Sequence, residues 1–406
     1  MTRSPFRPLP LLLIALAGCR PTPPLALAAA ETLAPADASD PTVAIDPRDG
    51  TVYVAWAAMQ PDSAWNAMLA VRHGTGAFGA PVRVNRGAGE VVASGQFPPQ
   101  VQVGTDGTVH VAWLASDSAG VQIRVSRSDD GGVTFQAPVT VGVSPSLYFD
   151  MATGPAHAVY IAWLDLGRYA RDEERRASGA ETGPPMPIDA DLRLARSTDD
   201  GRTFTTLDVL DTNACICCRT AVAGAADGEA LLGWRHVFPV NERDMVVARI
   251  AATGPVLPPV RVHEDRWVLD GCPDMGPDLG LGSDGSVHAA WYTAATGRQG
   301  LYYARSTDRG RSFGAPVALR AGEHVTPSQV KVALAGGVPW LVWEEGDTVE
   351  TRLRLAHVTG DTTLALETEP VGRGTSPAIA TGHGVLGLAW ADQGAVQVRL
   401  GTVATP

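Results

Sequence analysis

One eight-residue motif occurs three times in this sequence, and it constrains the fold more than any other feature. The motif is Ser-x-Asp-x-Gly-x-Ser/Thr-Phe, and its copies span residues 128–135, 197–204 and 306–313. An Asp carboxylate can accept nearby backbone N–H groups, and Gly can take the positive φ that a tight turn needs. The aromatic residue then packs beneath the turn. The motif therefore predicts three hairpin turns of one kind.

These motifs lie inside a longer repeat. Each copy has a short strand, a Gly-containing turn and an apolar strand that ends in tryptophan, and the seven tryptophans are Trp56, Trp113, Trp163, Trp234, Trp291, Trp343 and Trp390. Successive members lie 47 to 71 positions apart. Repeats of this period with four strands each are typical of β-propellers. We therefore expect an all-β propeller of four-stranded antiparallel blades, with seven blades as the first choice and six as the alternative.

The last repeat is one strand short. It has three strands, ending near residue 400, and then the sequence stops. The missing outer strand could come from the N-terminal side, from residues 25–33, which would close the ring.

The N-terminus has the pattern of an export signal. Arg3 and Arg7 precede an apolar core over residues 11–17, which is too short for a stable transmembrane span. The Leu-Ala-Gly-Cys segment at residues 16–19 resembles a bacterial lipobox. That resemblance implies cleavage before Cys19 and lipidation of its thiol.

An ordinary secretory signal, cut near Ala28 or Ala30, is the alternative. The first reading predicts a lipoprotein signal peptide over residues 1–18, a Pro/Ala-rich tether over 19–40 and a propeller over 41–406. The protein would then be exported and lipid-anchored in the bacterial cell envelope. The formal charge of −11 argues against nucleic acid or an anionic membrane surface as a partner.

The triplicated motif is identified as an Asp-box, and the repeats resemble the bacterial neuraminidase (BNR) repeats of sialidases and related β-propellers. The box is structural in that family. The matching positions are Ser128, Asp130, Gly132, Phe135, Ser197, Asp199, Gly201, Phe204, Ser306, Asp308, Gly310 and Phe313. The resemblance further implies that ligands bind around the channel on the opposite face, where the blade-to-blade links and the loops after each Trp lie.

Sialidases use an arginine triad, a Tyr nucleophile with a Glu partner, and an Asp acid. The usual Phe/Tyr-Arg-Ile-Pro motif is missing, since the nearest string, Phe6-Arg7-Pro8, lacks the Ile and falls inside the signal. The candidates of matching type, outside matching motifs, are Asp165, Arg219, Arg235, Arg243, Tyr292 and Glu344. The resemblance therefore covers the fold of nearly the whole mature chain and almost none of the active site.

Other polar residues fall on the same predicted face. They are His236, Asp244, Asp274, Arg298 and His324. Single charges there are usually rim charges, but so many on one face suit an anion or polar-ligand site. The long insertion over residues 165–189 is either a solvated flap or a lid over this site.

Four cysteines should also meet on this face. Cys215, Cys217 and Cys218 lie in the third blade-to-blade link, and Cys272 lies in the next link. An even number of cysteines in an exported protein favours disulfides. Adjacent Cys217 and Cys218 could bridge each other only with strain, so Cys272 should pair with one of them and Cys215 with the other. Four thiolates could instead hold Zn²⁺ or Cu(I), although the protein as predicted needs no cofactor.

The sequence also resembles exported bacterial Asp-box proteins that carry Cys-x-Cys-Cys and Gly-Cys-Pro segments. The first hypothesis is therefore a cell-envelope, sialidase-like propeller that binds a ligand or partner, such as a glycan, on its cysteine-bearing face. An exo-α-sialidase-type glycoside hydrolase is the alternative. A metal-binding or thiol-redox protein is the third hypothesis.

Overall fold

The structure is a computed structural model, and it describes most of the chain from residue 25 to residue 403. The gaps in this range are 62–63, 94–95, 119, 143–144, 181–188, 226, 253, 323–328, 347–349 and 361–362. The predicted signal peptide, Cys19 and His324 lie outside the described residues. Among the described helices, none combines the length and the apolar character that crossing a membrane requires.

The described strands form antiparallel units that follow one another along the chain. Two short strands precede them, β1 (Ala26–Leu27) and β2 (Glu31–Ala34). Unit 1 contains β3 (Ala38–Ile45), β4 (Val52–Met59), β5 (Trp65–Arg72) and β6 (Val82–Arg83). Unit 2 contains β7 (Gln100–Val103), β8 (Val109–Asp117), β9 (Gly120–Ser128) and β10 (Val139–Gly142).

Units 3 and 4 share one sheet. Unit 3 contains β11 (Ser146–Thr153), β12 (Val159–Asp165), helix α1 (Gly167–Ala177), β13 (Asp189–Ser197) and β14 (Thr205–Thr206). The extra strand β15 (Asp211–Cys215) then pairs with β13 and with β17 of unit 4. Unit 4 contains β16 (Ala221–Gly224), β17 (Ala230–Phe238), a 3₁₀ turn (Pro239–Asn241), β18 (Glu242–Ile250) and β19 (Val260–Arg261).

Three further units complete the described chain. Unit 5 contains β20 (Asp278–Leu281), β21 (Val287–Thr293), β22 (Gly300–Ser306) and β23 (Val317–Ala321). Unit 6 contains β24 (Lys331–Ala335), β25 (Val338–Gly346), β26 (Thr351–Val358), β27 (Leu364–Leu366) and β28 (Gly372–Arg373). Unit 7 contains β29 (Thr375–Gly382), β30 (Val385–Asp392) and β31 (Ala395–Thr402). The predicted all-β class with four-stranded antiparallel sheets is confirmed.

The first strand of each unit lies innermost in a closed ring. In the described chain these strands contact one another in the order β3, β7, β11, β16, β20, β24 and β29, and β29 contacts β3. Both β1 and β2 pair with β31, so the N-terminal segment supplies the outer strands of unit 7. This part of the predicted tether, residues 19–40, therefore belongs to the sheet.

Among the described residues, neighbouring innermost strands share no ladder of backbone hydrogen bonds. Side-chain hydrogen bonds connect them instead. Thr42 Oγ1 on β3 accepts a hydrogen bond from the Val101 N–H on β7 at 3.2 Å. Asp150 on β11 accepts one from the Val222 N–H on β16 at 2.7 Å. Polar residues in the channel wall thus have a structural role.

Apolar residues of neighbouring units pack together. One core cluster combines Tyr53 and Leu69 of unit 1 with Val109 and Trp113 of unit 2. Both Leu69 and Trp113 have no solvent exposure. Replacing a buried Trp by Ala typically costs about 3–5 kcal/mol, so the tryptophan repeat stabilises the contacts between units.

The three motif copies have the same hydrogen-bond geometry. In each copy the Ser Oγ donates to the Asp Oδ1 at 2.7 Å, and the Gly N–H donates to the Ser Oγ at 2.8 Å. The following Thr or Ser N–H donates to the same carboxylate at 2.9 Å. The glycine φ angles are 90°, 71° and 77°, which a side chain would strain. Each turn joins the third strand of its unit to the outer edge.

Candidate functional site

The innermost strands are irregular at the end of the ring that faces the cysteines. The pairing of first and second strands shifts register near the start of β3, β11 and β29. Asp40, Tyr148 and Ser376 lie at these shifts with φ angles of 54°, 54° and 55°, and Asp274 just before β20 has 59°. Such conformations cost about 1–3 kcal/mol each and cluster at functional sites. A β-bulge of this kind changes the direction in which the neighbouring side chains point. We call this end the channel mouth.

A cavity of about 170 Å³ opens into the ring at the channel mouth. Every unit contributes polar lining residues, which include Asp40, Gln100, Asp150, Arg219, Asp278, Lys331 and Ser376. The cavity therefore lies on the axis of the ring, where ligands of ring-shaped folds commonly bind.

Two short hydrogen-bond chains hold the polar groups of the mouth. Arg219 Nε donates to Gln96 Oε1 at 3.1 Å, and Gln96 Nε2 donates to Asp274 Oδ2 at 2.7 Å. Elsewhere in the mouth, the Ser376 N–H donates a hydrogen bond to Glu344 Oε1 at 2.7 Å. We define the mouth cluster as Asp40, Gln96, Arg219, Asp274, Glu344 and Ser376.

Burial dominates the electrostatics of the mouth cluster. It raises the pKa of Asp40, Asp274 and Glu344, and the Arg219 guanidinium opposes this rise at all three. Burial also lowers the pKa of Arg219. Three carboxyl groups thus surround one guanidinium, and each carboxyl group protonates more readily than usual. A protonated carboxyl group can donate a hydrogen bond as well as accept one.

Deeper in the channel, the charged residues are already paired. Lys331 Nζ donates to Asp278 Oδ1 at 2.9 Å, and the other oxygen of Asp278 accepts the Val332 N–H. Burial raises the pKa of Asp150 to about 6, opposed by the Lys331 cation. These charged groups hold neighbouring strands together. The polar side chains that a ligand could contact therefore lie at the mouth.

The cysteines lie directly beside this mouth. A disulfide joins Cys217 to Cys272, with Cα atoms 6.0 Å apart. The prediction that Cys272 pairs with Cys217 or Cys218 is therefore confirmed, whereas the prediction that Cys215 pairs with the other one is wrong, because Cys215 and Cys218 are not bonded. Cys215 and Cys218 are buried free thiols with sulfurs 2.7 Å apart. In this state a four-thiolate metal site would require reduction of the Cys217–Cys272 disulfide.

The disulfide fixes two links that build the mouth cluster. Cys217 is two residues before Arg219, and Cys272 is two residues before Asp274. The bond thus ties the link before β16 to the link before β20. It holds Arg219 and Asp274 in place relative to each other.

A buried guanidinium contacts one of the two free thiols. Arg243 Nη1 lies 3.3 Å from Cys215 Sγ. The hydrogen bond from Cys218, together with the Arg235 and Arg243 cations, lowers the pKa of Cys215 to about 6 against the effect of burial. Burial raises the pKa of Cys218, which therefore keeps its proton.

The structure brings together three of the residues predicted from the sequence, Arg219, Glu344 and Asp274. Four others are buried inside unit 4 and unit 5: Arg235, Arg243, Tyr292 and Asp244. Arg235 donates to the carbonyl oxygens of Met275, Arg243 and Tyr292, and its guanidinium lies 4.8 Å from the Trp267 ring. Asp244 accepts the Arg266 N–H at 3.0 Å.

Three more predicted residues are held by partners away from the cavity lining. Asp165 Oδ2 accepts a hydrogen bond from Arg193 at 2.8 Å. His236 Nδ1 lies 2.6 Å from Asp211, and Arg298 Nε lies 3.2 Å from Asp265. In the insertion, Arg168 at the start of α1 donates to Asp189 at 2.9 Å, which ties the helix to unit 3.

Sequence reasoning missed Asp40, Gln96 and Ser376. Two of them carried a usable signal, because Asp40 and Ser376 each precede a proline at the start of an innermost strand. Gln96 carried none, since it lies in a link without a motif.

Comparison with known proteins identifies the fold. No protein-family model matches the sequence, and no curated protein does so either. Among solved structures, the chain is similar to a PL25 ulvan lyase at 13% identity, over 92% of this chain and 95% of that one, with a TM-score of 0.56. It is also similar to the Hadza microbial sialidase Hz136, at 13% identity over 86% and 76% of the two chains, with a TM-score of 0.51.

A third similar structure is the phage phi92 endosialidase. The identity is 9%, the match covers 93% of this chain and 69% of that one, and the TM-score is 0.52. Identities this low show a shared fold alone. The predicted sialidase-like β-propeller fold is confirmed by these likenesses.

Proposed function

We propose that this protein is a lipid-anchored, cell-envelope propeller that binds a neutral saccharide at its channel mouth. The observation that carries the proposal is the mouth cluster itself. Polar groups from distant segments converge there, and three of them lie on or beside strained backbone at the edge of a cavity. Backbone conformations that cost this much free energy are usually found where they serve binding or catalysis.

The composition of the mouth cluster favours a neutral ligand. Three carboxyl groups interact with a single guanidinium. An anionic ligand would therefore meet more negative charges than positive charges at the mouth cluster. Arg235 and Arg243, which could have completed an arginine triad, are buried and bonded to protein groups. Sugar hydroxyls both donate and accept hydrogen bonds, so they can pair with carboxylate oxygens as donors and with guanidinium N–H groups as acceptors.

The similar structures support a saccharide as the general ligand class, and the neutral character of the ligand is argued from the mouth cluster alone. One is a polysaccharide lyase bound to a saccharide, and two others are sialidases by name. Their likeness to this chain concerns the fold, so the mouth cluster carries the specific proposal.

Titration calorimetry of the mature protein against neutral, amino-bearing and acidic oligosaccharides tests this proposal. We expect saturable binding of at least one neutral saccharide and no binding of sialosides. Binding restricted to sialosides, or no binding across a broad panel, would contradict it.

The proposed location rests on the lipobox-like segment and on the disulfide. Disulfides persist outside the reducing cytosol, which agrees with export. Metabolic labelling with an alkyne fatty acid should mark the wild type, and Cys19→Ser should lose both the label and the membrane association. Equal labelling of the two proteins would exclude the lipid anchor.

Glycoside hydrolysis is the second candidate function. Asp40 and Glu344 both contact Ser376, and burial raises the pKa of both carboxyl groups. Hydrolysis of this type uses a pair of carboxyl groups, of which one is protonated as the acid. Turnover of neutral aryl glycosides that disappears in Asp40→Asn and in Glu344→Gln would favour the enzyme. We expect little cleavage of an aryl sialoside, because the arginine triad is missing from the mouth.

A further inference from the structure

We propose that the four cysteines form a thiol–disulfide exchange site. In this site the Cys215–Cys218 dithiol passes two electrons to the Cys217–Cys272 disulfide and thereby exposes the Cys272 thiol. The inference is independent of saccharide binding. It rests on the distances, the burial and the charge around the four sulfurs.

The distances place the reacting sulfurs in sequence. Cys215 Sγ lies 4.0 Å from Cys217 Sγ, which is one end of the disulfide. On its other side, Cys215 Sγ lies 2.7 Å from Cys218 Sγ. Cys215 is therefore placed between an attackable disulfide and a second thiol.

The burial of the four sulfurs decides which of them an external reagent can reach. Cys215, Cys217 and Cys218 are at most 5% exposed, whereas Cys272 is exposed. An external reagent can thus reach only Cys272 among the four. Electrons from the buried dithiol reach the surface through the disulfide.

The chemistry balances without an added oxidant or reductant. The Cys215 thiolate attacks Cys217 Sγ, a Cys215–Cys217 bond forms, and Cys272 leaves as a thiolate that takes a proton from solvent. Cys218 then attacks Cys215, Cys217 leaves, and the proton of Cys218 passes to the leaving Cys217 sulfur. The dithiol has been oxidised by two electrons, and the original disulfide has been reduced by two. Thiolates are the attacking species in such exchange.

The surrounding charges favour the first attack. The Arg243 guanidinium lies 3.3 Å from Cys215 Sγ and stabilises its thiolate. Arg243 is itself held by Asn241, to which it donates at 2.9 Å and 3.1 Å. The cation is therefore fixed beside the nucleophile, as in other reactive cysteine sites.

The exchange would also change the channel mouth. The Cys217–Cys272 bond ties the two links that carry Arg219 and Asp274, and a Cys215–Cys218 bond lies within one link. Moving the disulfide therefore frees the link before β20.

The test is differential alkylation of the mature protein. The protein is first equilibrated in a glutathione buffer whose redox ratio leaves two of the four clustered cysteines as thiols. The glutathione is then removed. N-ethylmaleimide is added to the folded protein, deuterated reagent is added after unfolding, and peptides are mapped without reduction. We expect the light label on Cys272, together with accumulation of a Cys215–Cys218 linked peptide.

Two serine variants decide the mechanism. Cys218→Ser should still label at Cys272 and accumulate a Cys215–Cys217 bond, because only the second attack is lost. Cys215→Ser should label at Cys272 at least tenfold more slowly than the wild type. Circular dichroism melts check that both variants fold.

Three results would overturn the proposal. Equal labelling of Cys272 in the wild type and Cys215→Ser would show that the disulfide opens by another route. A wild type that takes the light label nowhere over hours would show that no exchange occurs. Four free thiols with stoichiometric zinc or copper would show that the cluster is a metal site.

Discussion

The two faces of the ring are built in opposite ways. On the face with the three Ser-x-Asp-x-Gly-x-Ser/Thr-Phe turns, which we call the box face, each turn forms from consecutive residues, and its hydrogen bonds span at most four positions, as between Ser128 and Gly132. At the channel mouth, Ser376 contacts Asp40 across 336 positions of sequence. The first arrangement repeats because it is local. The second occurs once because it needs the finished ring.

Their electrostatics differ in the same way. Hydrogen bonds lower the pKa of Asp130 and Asp308 to about 2, chiefly those from Thr134 and Ser312. Burial raises the pKa of the carboxyl groups at the mouth. Carboxylates on the box face therefore stabilise the fold when charged, whereas those at the mouth and in the channel oppose folding when charged. The carboxyl groups of the two faces therefore have opposite effects on stability as pH changes.

The largest effect is expected from removing the disulfide at the mouth. In the chain-entropy model, Cys272→Ser should lower the free energy of unfolding by about 4 kcal/mol, since the bond closes a loop with a separation of 55 residues. Denaturant titration without reductant measures this loss. Cys215→Ser keeps the disulfide and is the matched control, with a change of under about 1 kcal/mol. Equal losses in both variants would show that thiol packing, rather than the bond, stabilises the mouth.

Arg219→Met should weaken saccharide binding by about 10- to 100-fold, because charged hydrogen bonds contribute about 1.5–3 kcal/mol. The guanidinium holds Gln96 and balances three carboxyl groups. Arg219→Lys keeps the charge without the planar fork and should give an intermediate dissociation constant by calorimetry. Unchanged affinity in Arg219→Met would remove the mouth cluster from the binding site.

Asp150→Asn should raise stability at pH 7 by about 1–2 kcal/mol, a value reduced for the water that reaches the channel. The folded pKa is about 6 and the ordinary value is 3.8, so the folded state binds the proton more tightly. Stability therefore falls as pH rises from about 4 to 6. Asn keeps an acceptor for the Val222 N–H. Urea titrations should show the gain at pH 7 and almost none at pH 4, and a gain that does not depend on pH would refute the charge effect.

The smallest effect belongs to a single box. Asp130→Asn should cost about 0.5–1 kcal/mol above pH 4, because the carboxylate is exposed and solvent screens it. The folded pKa is about 2, below the ordinary 3.8, so this contribution is lost as pH falls through 2. The neighbouring Asp129 lies outside the motif positions, and Asp129→Asn should change the unfolding midpoint less. Equal shifts in the two variants would show that the motif has no special role in stability.

This contrast explains what the sequence could and could not predict. The repeated turns and the tryptophan strands were predictable because each depends on residues close in sequence, and the order of the links predicted that Cys272 pairs with Cys217 or Cys218 without deciding between them. Arg235 and Arg243 looked like site residues by type, yet both are buried against carbonyl or amide groups. Asp40 and Gln96 were not found, since register shifts and a motif-free link bring them to the mouth. Burial and side-chain direction depend on contacts between units, which no local pattern records.

The most direct test of the account is a crystal structure of the protein with the tightest-binding neutral saccharide from the calorimetric panel. We predict that the sugar lies in the cavity at the channel mouth, with hydroxyl groups within hydrogen-bond distance of Arg219, Asp274 and Glu344. A saccharide bound on the box face or on the outer strands, with the mouth filled by water alone, would contradict the claim that the mouth is the functional site.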